Sequence, residues 1–406
     1  MEPPPPRIVT LVLVDAAGAV LGALPPFEAE TPWWNDMAPV VRTVRSRQGV
    51  VVTVLRLLEA ERTEAPGGAV SYLAQLHGGT APVGLQPWHG VLPDDSKRHA
   101  YARVGGPQAD LAWAQAVLHA RGDALVAEPQ QIRTWNLSSL WCLPTRAGRV
   151  WLKVVPPFFA HEGNILRALS LAPVPRLLGH DGGRVLLADI PGEDCYEAAL
   201  PARLAMIDLL VDLQAAWLGR APELLALGLP DWRAPALSAA ITALVERRAG
   251  ELELQDRAVL AAFVSGLPKR FAAIAACGMA EGLVHGDFHP GNLRGDAASL
   301  TLLDWGDSGI GHPLLDQPAF LTRTPAGDIE RSRAHWSAAW RRHIPGADPE
   351  RAAQLLAPVA AARQALIYQC FLDGIEAAEH PYHRSDVPHW LHRTAELLRG
   401  ESAGDA

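Results

Sequence analysis

The chain has 406 residues, 49% of them apolar, with 36 Lys and Arg against 44 Asp and Glu and a net charge of −8. That length holds about two to three cores, and a mildly acidic chain without a Lys/Arg-rich run carries no nucleic-acid footprint. Four cysteines without paired spacing exclude a zinc ribbon and a disulfide framework, and a start without a basic n-region, with no stretch of about 18 uninterrupted apolar residues, sets the expectation of a cytoplasmic protein that enters no membrane.

From Ile8 to Leu76 the signals are β. The runs "RIVTLVLV", "AVLGAL", "GVVVTVLRLL" and "AVSYLAQL" are each bounded by Gly, Pro or acidic turn residues, as in a small antiparallel domain. In "VGGPQADLAWAQAVLHARGD", Pro107 opens a helix, Leu111, Ala114, Val117 and Leu118 recur at helical spacing, and Gly122 ends it. This helix is expected to close or link a β-rich accessory domain over residues 1–125. Trp33, Trp34 and Trp88 in that domain are expected to pack in its core rather than to line a site.

A second β segment begins near Gln131, where "IRTWNLSSLWCLPTRAGRVWLKVV" reads as two or three strands with a turn at Arg146 to Gly148. "FFAHEGNILRALS" is a helix with Glu162 in its first turns, and "RVLLADIPGED" a strand ending at Pro191 and Gly192. Residues 126–194 thus form a second β-rich lobe. From Cys195 to the end the pattern is helical, interrupted only by "GLVHGDFHPGNL" and "SLTLLDWGD".

The polar residues concentrate in those interruptions. His285, Asp287, His289 and Asn292 crowd between two apolar runs. Alternating His, Asp and His are ligand types for zinc or iron; equally, an Asp base followed by an Asn suits phosphoryl transfer. The rest of the chain separates the two. "SLTLLDWGD" supplies a second acid, Asp304, at the end of an apolar strand. Upstream, Lys153 sits inside the apolar strand "RVWLKVV", where a cation is costly unless paired, and Glu162 follows on the next helix. Each has a plainer use, Lys153 as a snorkelling strand lysine and Glu162 as a first-turn acid. The pair, together with a base and two candidate magnesium ligands, is what phosphoryl transfer requires, and a zinc cluster would leave Lys153 and Glu162 unexplained.

The run His285-Gly286-Asp287-x-His289-x-x-Asn292, then Asp304-Trp305, with Lys153, Glu162 and the "LLADIPGED" connector, resembles the aminoglycoside phosphotransferase and choline-kinase-like family over roughly residues 130 to 320. The resemblance implies an α+β, bilobal protein-kinase-like fold: a nucleotide lobe over 126–194 and a mainly helical lobe over 195–406 that carries catalysis and acceptor binding. It implies ATP and Mg2+, with Asp287 as catalytic base, Asn292 and Asp304 as magnesium ligands, and Lys153 on the phosphates with Glu162 as its partner. Ala188 and Ile190 in the connector would read the adenine edge through their backbone. His285 would brace the loop, His289 orient it, and Asp316 support it.

Two features depart from the family pattern. No Gly-rich GxGxxG precedes Lys153; "NLSSLW" stands there, so Ser138 and Ser139 are expected to supply phosphate donors. Residues 1–125 fall outside the resemblance, with no acidic Nudix-type helix and no dinucleotide fingerprint, and are assigned an accessory role: packing on the nucleotide lobe, restricting the cleft or self-associating. Among the last helices, Glu376, Tyr382, His383 and Asp386 are the acceptor candidates, against the alternative of a solvated helix face. Acids there incline the reading toward an amino sugar or other cationic alcohol. The expected activity is transfer of a phosphoryl group from ATP to a hydroxyl of a small molecule; the alternative is a nucleotide-binding regulatory pseudokinase.

Overall fold

The structure, a computed structural model, describes residues 4–78, 81–296 and 299–404, with side chains through residue 401. It divides into two compact units. The first runs through Gly163 and includes Leu177–Asp189 and Cys370–Ser385; the second holds Asn164–Arg176, Ile190–Gln369 and the chain from Asp386 onward.

The first unit begins with a five-stranded sheet of β1 (Arg7–Val14), β2 (Val20–Ala23), β3 (Phe27–Glu28), β4 (Val51–Ala60) and β5 (Gly68–His77), in the order β2-β1-β5-β4 with β3 on β1. The expected antiparallel domain is a mixed sheet, because β1 and β5 run parallel. Helix α1 (Ala38–Gln48) precedes β4 and is absent from the sequence reading; its three arginines dilute a short apolar stripe of Val40, Val41 and Val44. The unbroken apolar run of β1 has a clear cause. Val9, Leu11 and Leu13 join the core with α1, while Val12 and Val14 join a second core with Leu55 and Leu73 on the opposite face; a strand buried on both faces loses its polar alternation. Trp34 is in the core, donating to the carbonyl of Gly67 at 2.8 Å, whereas Trp33 is exposed.

A second sheet holds β6 (Gln130–Trp135), β7 (Ser138–Thr145), β8 (Gly148–Val154), β9 (Leu177–Asp181) and β10 (Arg184–Ala188) in the order β6-β7-β8-β10-β9. Helix α2 (Gly106–Ala120) packs Ala114 and Leu118 on Leu143, Val150 and Leu152 of this sheet, and Asp110 pairs with Arg184 at 2.7 Å. It therefore belongs to the second sheet rather than closing the first domain. The expected boundary at residue 125 separates no compact units. At the register shift between Val54 and Arg56 in β4, the side chain of Gln131 from β6 receives the Val54 amide at 2.9 Å and donates to its carbonyl at 2.7 Å. The amides of Met37 and Thr134 further tie residues 35–37 to β6. Backbone groups of the two sheets complete each other, so residues before 121 are part of this lobe's polar accounting.

The second unit is helical: α3 (Glu162–Ala168, beginning in the first unit), α4 (Leu200–Ala215), α5 (Ala221–Ala226), α6 (Ala234–Arg248), α7 (Leu254–Ala275), α8 (Gln317–Thr322), α9 (Ile329–His343), α10 (Pro349–Gly374, ending in the first unit) and α11 (Asp386–Gly404). Helices α7 and α10 reach the length and hydropathy of a membrane span. In α10 this reflects a mostly buried helix, and α7 carries Asp256, Arg257, Lys269 and Arg270 while packing on α6 and α11. Two small sheets sit among the helices: β11 (Glu193–Asp194) with β13 (Leu293–Asp296) and β14 (Ser299–Leu302), and β12 (Gly282–Val284) with β15 (Gly309–Gly311).

Candidate active site

In the second unit, β12 runs antiparallel to β15, with Val284 opposite Gly309, and delivers the chain into the polar loop. Gly286 has φ 94°, and a Cβ there would overlap the carbonyl oxygen of Asp307, so only glycine lets the loop approach that backbone. Asp316, buried just before α8, clamps the turn: its carboxylate accepts from the amides of His285 at 2.8 Å and Gly286 at 2.7 Å, and from Gln214 at 2.8 Å. His285 is fully buried, with Nε2 on the carbonyl of Leu303 at 2.8 Å and Nδ1 toward the Asp287 amide. Burial lowers its pKa, so it is a neutral brace.

The loop aims one carboxylate outward. Asn292 donates Nδ2 to the Asp287 carbonyl at 2.8 Å and to Asp287 Oδ2 at 3.1 Å. His289 receives the Gly291 amide at Nδ1, 3.0 Å, which leaves Nε2 to face Asp287 Oδ2 at 3.4 Å. Burial raises the Asp287 carboxyl, but the His289 contact and the positive charge of Arg323 outweigh it and hold it at about 2. Asp287 is therefore ionised at neutral pH. Arg323 escaped the sequence reading; it follows α8, whose Phe320 stacks on Phe288 at 5.2 Å, and such a contact leaves no local signal 36 positions from Asp287.

Asp304 stands just past β14, exposed, with φ 59° and ψ 67°. It is the one non-glycine at positive φ among the described residues, a conformation that costs on the order of 1–3 kcal/mol and gathers at functional positions. Among the described residues no three His, Cys, Asp or Glu side chains form a metal cluster, and His285 and His289 are engaged as above, so the transition-metal reading has no support. The donor set fits a hard cation. Asn292 spends its amide nitrogen on Asp287, which leaves its Oδ1, and Asp304 offers a carboxylate; Mg2+ takes a few such oxygens and completes its shell with phosphate and water.

The first unit holds Lys153, Glu162 and Ala188. Lys153, between β7 and β10 in the sheet, pairs with Glu162 at 2.8 Å, their side chains 14% and 2% exposed. Ala188 ends β10 opposite Val150. Ile190, in the second unit, has its carbonyl taken by Arg294 at 2.9 Å. Of the expected serine donors, Ser139 is buried and Ser138 half-buried, and each accepts a tryptophan N–H while keeping its own O–H hydrogen. Ser139 is 1% exposed and accepts from Trp141 Nε1 at 3.0 Å, and Ser138 accepts from Trp135 Nε1 at 3.1 Å. The β6–β7 turn itself is Asn136 and Leu137.

Asn136 went unnoticed in the sequence, although an Asn between two strand runs is a turn signal. Its side chain donates to the Glu379 carbonyl at 3.3 Å and meets His383 Nε2 at 2.9 Å. This corrects the acceptor set. His383 is buried on the β6–β7 turn, Tyr382 packs edge-on against Trp34 and Trp135, and Glu376, 6% exposed, pairs with Arg98 at 2.8 Å and lies 3.6 Å from Arg56. These three side chains are consumed in the packing of the first unit. Asp386 alone stays in the second unit, where its charge and that of Asp287 both act on Tyr368.

The profile of the phosphotransferase enzyme family matches residues 141–355, more than half of the 406 residues. The chain belongs to that family. No curated protein matches it. Among solved structures, a candidate aminoglycoside phosphotransferase of Ralstonia eutropha superposes with a TM-score of 0.51 at 17% identity, over 72% of this chain and 98% of its own. A macrolide 2′-phosphotransferase of type I does so with a TM-score of 0.50 at 15% identity, over 71% of this chain and 97% of its own. At such identities the likeness establishes the fold, the protein-kinase-like α+β architecture of the phosphotransferases.

One acid outside the site makes a sharp prediction for this family member. Glu379, 3% exposed, accepts the Leu57 amide at 2.9 Å, while its Oε2 has no partner among the described residues. Burial first, with Glu376 adding repulsion against the Leu57 bond and Arg56, pushes its carboxyl from 4.5 up to about 8. Because folding raises this pKa, its contribution to stability is complete below the unfolded value and is lost as pH climbs through about 8. Glu379→Gln should therefore gain thermal midpoint over the parent as pH rises from about 5 to about 9. A difference that stays constant across that range contradicts the buried acid.

Proposed function

We propose that the protein is an ATP- and Mg2+-dependent phosphotransferase acting on a hydroxyl of a small molecule. The observation that carries this reading is the division of labour in the loop. Asn292 turns its nitrogen on Asp287 and its oxygen is left for a cation, so base and metal ligand are separate groups, as in-line phosphoryl transfer requires. Asp287 orients the acceptor hydroxyl and takes its proton. Held at about 2, it is a weak base, so the proton moves late, as the new O–P bond forms; a loose transition state tolerates that. Lys153, fixed by Glu162, would meet the nucleotide phosphates. Mg2+ on Asn292 and Asp304 would neutralise charge on the phosphates.

The test is ADP formation by the whole protein with Mg-ATP against amino sugars, neutral sugars, choline-like alcohols and hydroxylated antibiotics. ADP that depends on both Mg2+ and an acceptor, with equimolar phosphorylated product, supports the reading. Tight ATP binding with no transfer to any acceptor replaces it with the regulatory pseudokinase.

A further inference from the structure

In the second unit, β11 runs antiparallel to β13, with Glu193 opposite Gly295 and Asp194 opposite Arg294, and the Cys195 amide donates to the Leu293 carbonyl at 3.1 Å. Tyr196 is the next residue. Its ring edge lies against Gly291 in the loop: a Cβ on that glycine would come within 3.0 Å of Tyr196 Cδ2 and 2.8 Å of His289 Cε1. Gly291 is not at positive φ, so glycine stands there for space and not for conformation. The two rings share one glycine, and His289 Nε2 is in turn 3.4 Å from Asp287 Oδ2. These contacts lead from Tyr196 to Asp287.

Tyr196 is nevertheless 52% exposed. A single exposed aromatic side chain is ordinary on a loose surface segment; here the backbone is held. Besides the Cys195 bond, the Tyr196 amide donates to Asp194 Oδ1 at 3.2 Å, and its carbonyl accepts from Arg203 Nη2 at 2.9 Å. Arg203, 3% exposed, spends Nη1 on the carbonyl of Arg323 at 2.9 Å and Nε on that of Ala198 at 2.7 Å. One buried guanidinium thus ties the tyrosine to the residue whose charge lowers the Asp287 carboxyl. A large ring fixed in this way and left facing solvent is a prepared contact surface.

Strand β13 is the middle strand of its sheet, between β11 and β14. On the β14 side the Leu303 amide donates to the Asn292 carbonyl at 2.8 Å, and Asp304 follows. The groups that would hold Mg2+, and with it the phosphates, lie toward that flank, and Tyr196 lies on the other. In-line transfer brings the acceptor to phosphorus from the side opposite the leaving phosphate, which leaves the flank of Gly291, His289 and Tyr196 to the acceptor. We propose that Tyr196 is a specificity-determining residue that carries one face of a ring of the acceptor, so that the reacting hydroxyl belongs to a cyclic alcohol rather than an open-chain one. A ring presents a preformed C–H face to the aromatic surface, whereas an open chain must first lose rotational freedom to cover it. The assignment rests on the phosphotransferase reading for the reaction and for the flank that the phosphates take.

The whole protein and its Tyr196→Phe, Tyr196→Leu and Tyr196→Ala variants test it. ADP formation with Mg-ATP is measured for the pairs glucose and sorbitol, myo-inositol and mannitol, with choline added. Saturation transfer from the protein to the C–H protons of glucose and myo-inositol is measured by NMR in Mg-ADP, where no turnover is needed. The cyclic member of each pair should lead in kcat/KM. Tyr196→Ala should raise its KM about three- to tenfold, the scale of one aromatic contact, with kcat and the KM of ATP within about twofold of the parent. Tyr196→Leu keeps bulk against Gly291 and should show the same rise, which decides the matter should Tyr196→Ala not fold. Tyr196→Phe should match the parent, since the ring face makes the contact. Equal rates within the pairs, a preference for choline, a rise confined to the KM of ATP, a loss confined to kcat, or a parent-like acceptor KM without the aromatic ring overturns the assignment while the transferase reading stands. Saturation transfer seen in the parent and lost in Tyr196→Leu, without ADP from any alcohol, upholds the contact and overturns the phosphotransferase reading. Neither saturation transfer nor ADP overturns both.

Discussion

Asp287→Asn should lower turnover by about 10²–10⁴-fold, the span a positioned base contributes, while nucleotide affinity stays within about threefold. The substitution removes the charge and the lone pair that takes the proton, and little else. The Asn292 bond to the residue 287 carbonyl, at 2.8 Å, does not involve the side chain, and Asp316 clamps the loop from behind through the His285 and Gly286 amides. Loop position should therefore survive. On the proposed reading, nucleotide affinity would depend on Lys153 and on the residues that would hold Mg2+, none of which changes. Single-turnover rates, set beside equilibrium nucleotide binding, separate the two effects. Unchanged turnover would remove Asp287 from the role of base.

The second large effect is expected at Asp304. Asp304→Ala should bring nucleotide affinity in Mg2+ down to its Mg2+-free level, a loss on the order of 10²-fold or more, since a hard cation on phosphates is worth several kcal/mol. Alanine at φ 59° adds strain of about 1–2 kcal/mol, which confuses a metal effect with a folding effect. Asp304→Asn is the cleaner variant: asparagine tolerates the left-handed region and keeps the shape, yet it halves the negative oxygens to a neutral carbonyl. Both variants should bind nucleotide alike with and without Mg2+. If Asp304→Asn retains the full Mg2+ enhancement in a titration, the carboxylate is not a ligand.

The arrangement of the polar loop was legible in the sequence because its contacts are local. Asp287, His289 and Asn292 lie within six residues and bond to one another, and Asp304 follows one short hairpin later, so the order of residue types already carries the arrangement. Lys153 and Glu162 were legible for a related reason: a lysine inside an apolar strand must be paired, and the next acid on a helix was its partner at 2.8 Å. Helix α2 and strands β1, β6, β7, β8 and β10 were readable from pattern and turn residues, whereas β9 and the parallel pairing of β1 with β5 were not.

What the tertiary structure decided is which polar groups are spent. In the sequence, Glu376, Tyr382 and His383 form a polar segment near the end of a helix, open to an acceptor. In the fold, Cys370–Ser385 returns to the first unit, and Arg98, Trp34 and Asn136, more than two hundred positions away in the chain, take up those three side chains. Ser139 is closed off by burial against Trp141. Local pattern determines which elements form and which short loops hold chemistry. The partners of a buried polar atom depend on chain closure over long separations, which no local pattern encodes.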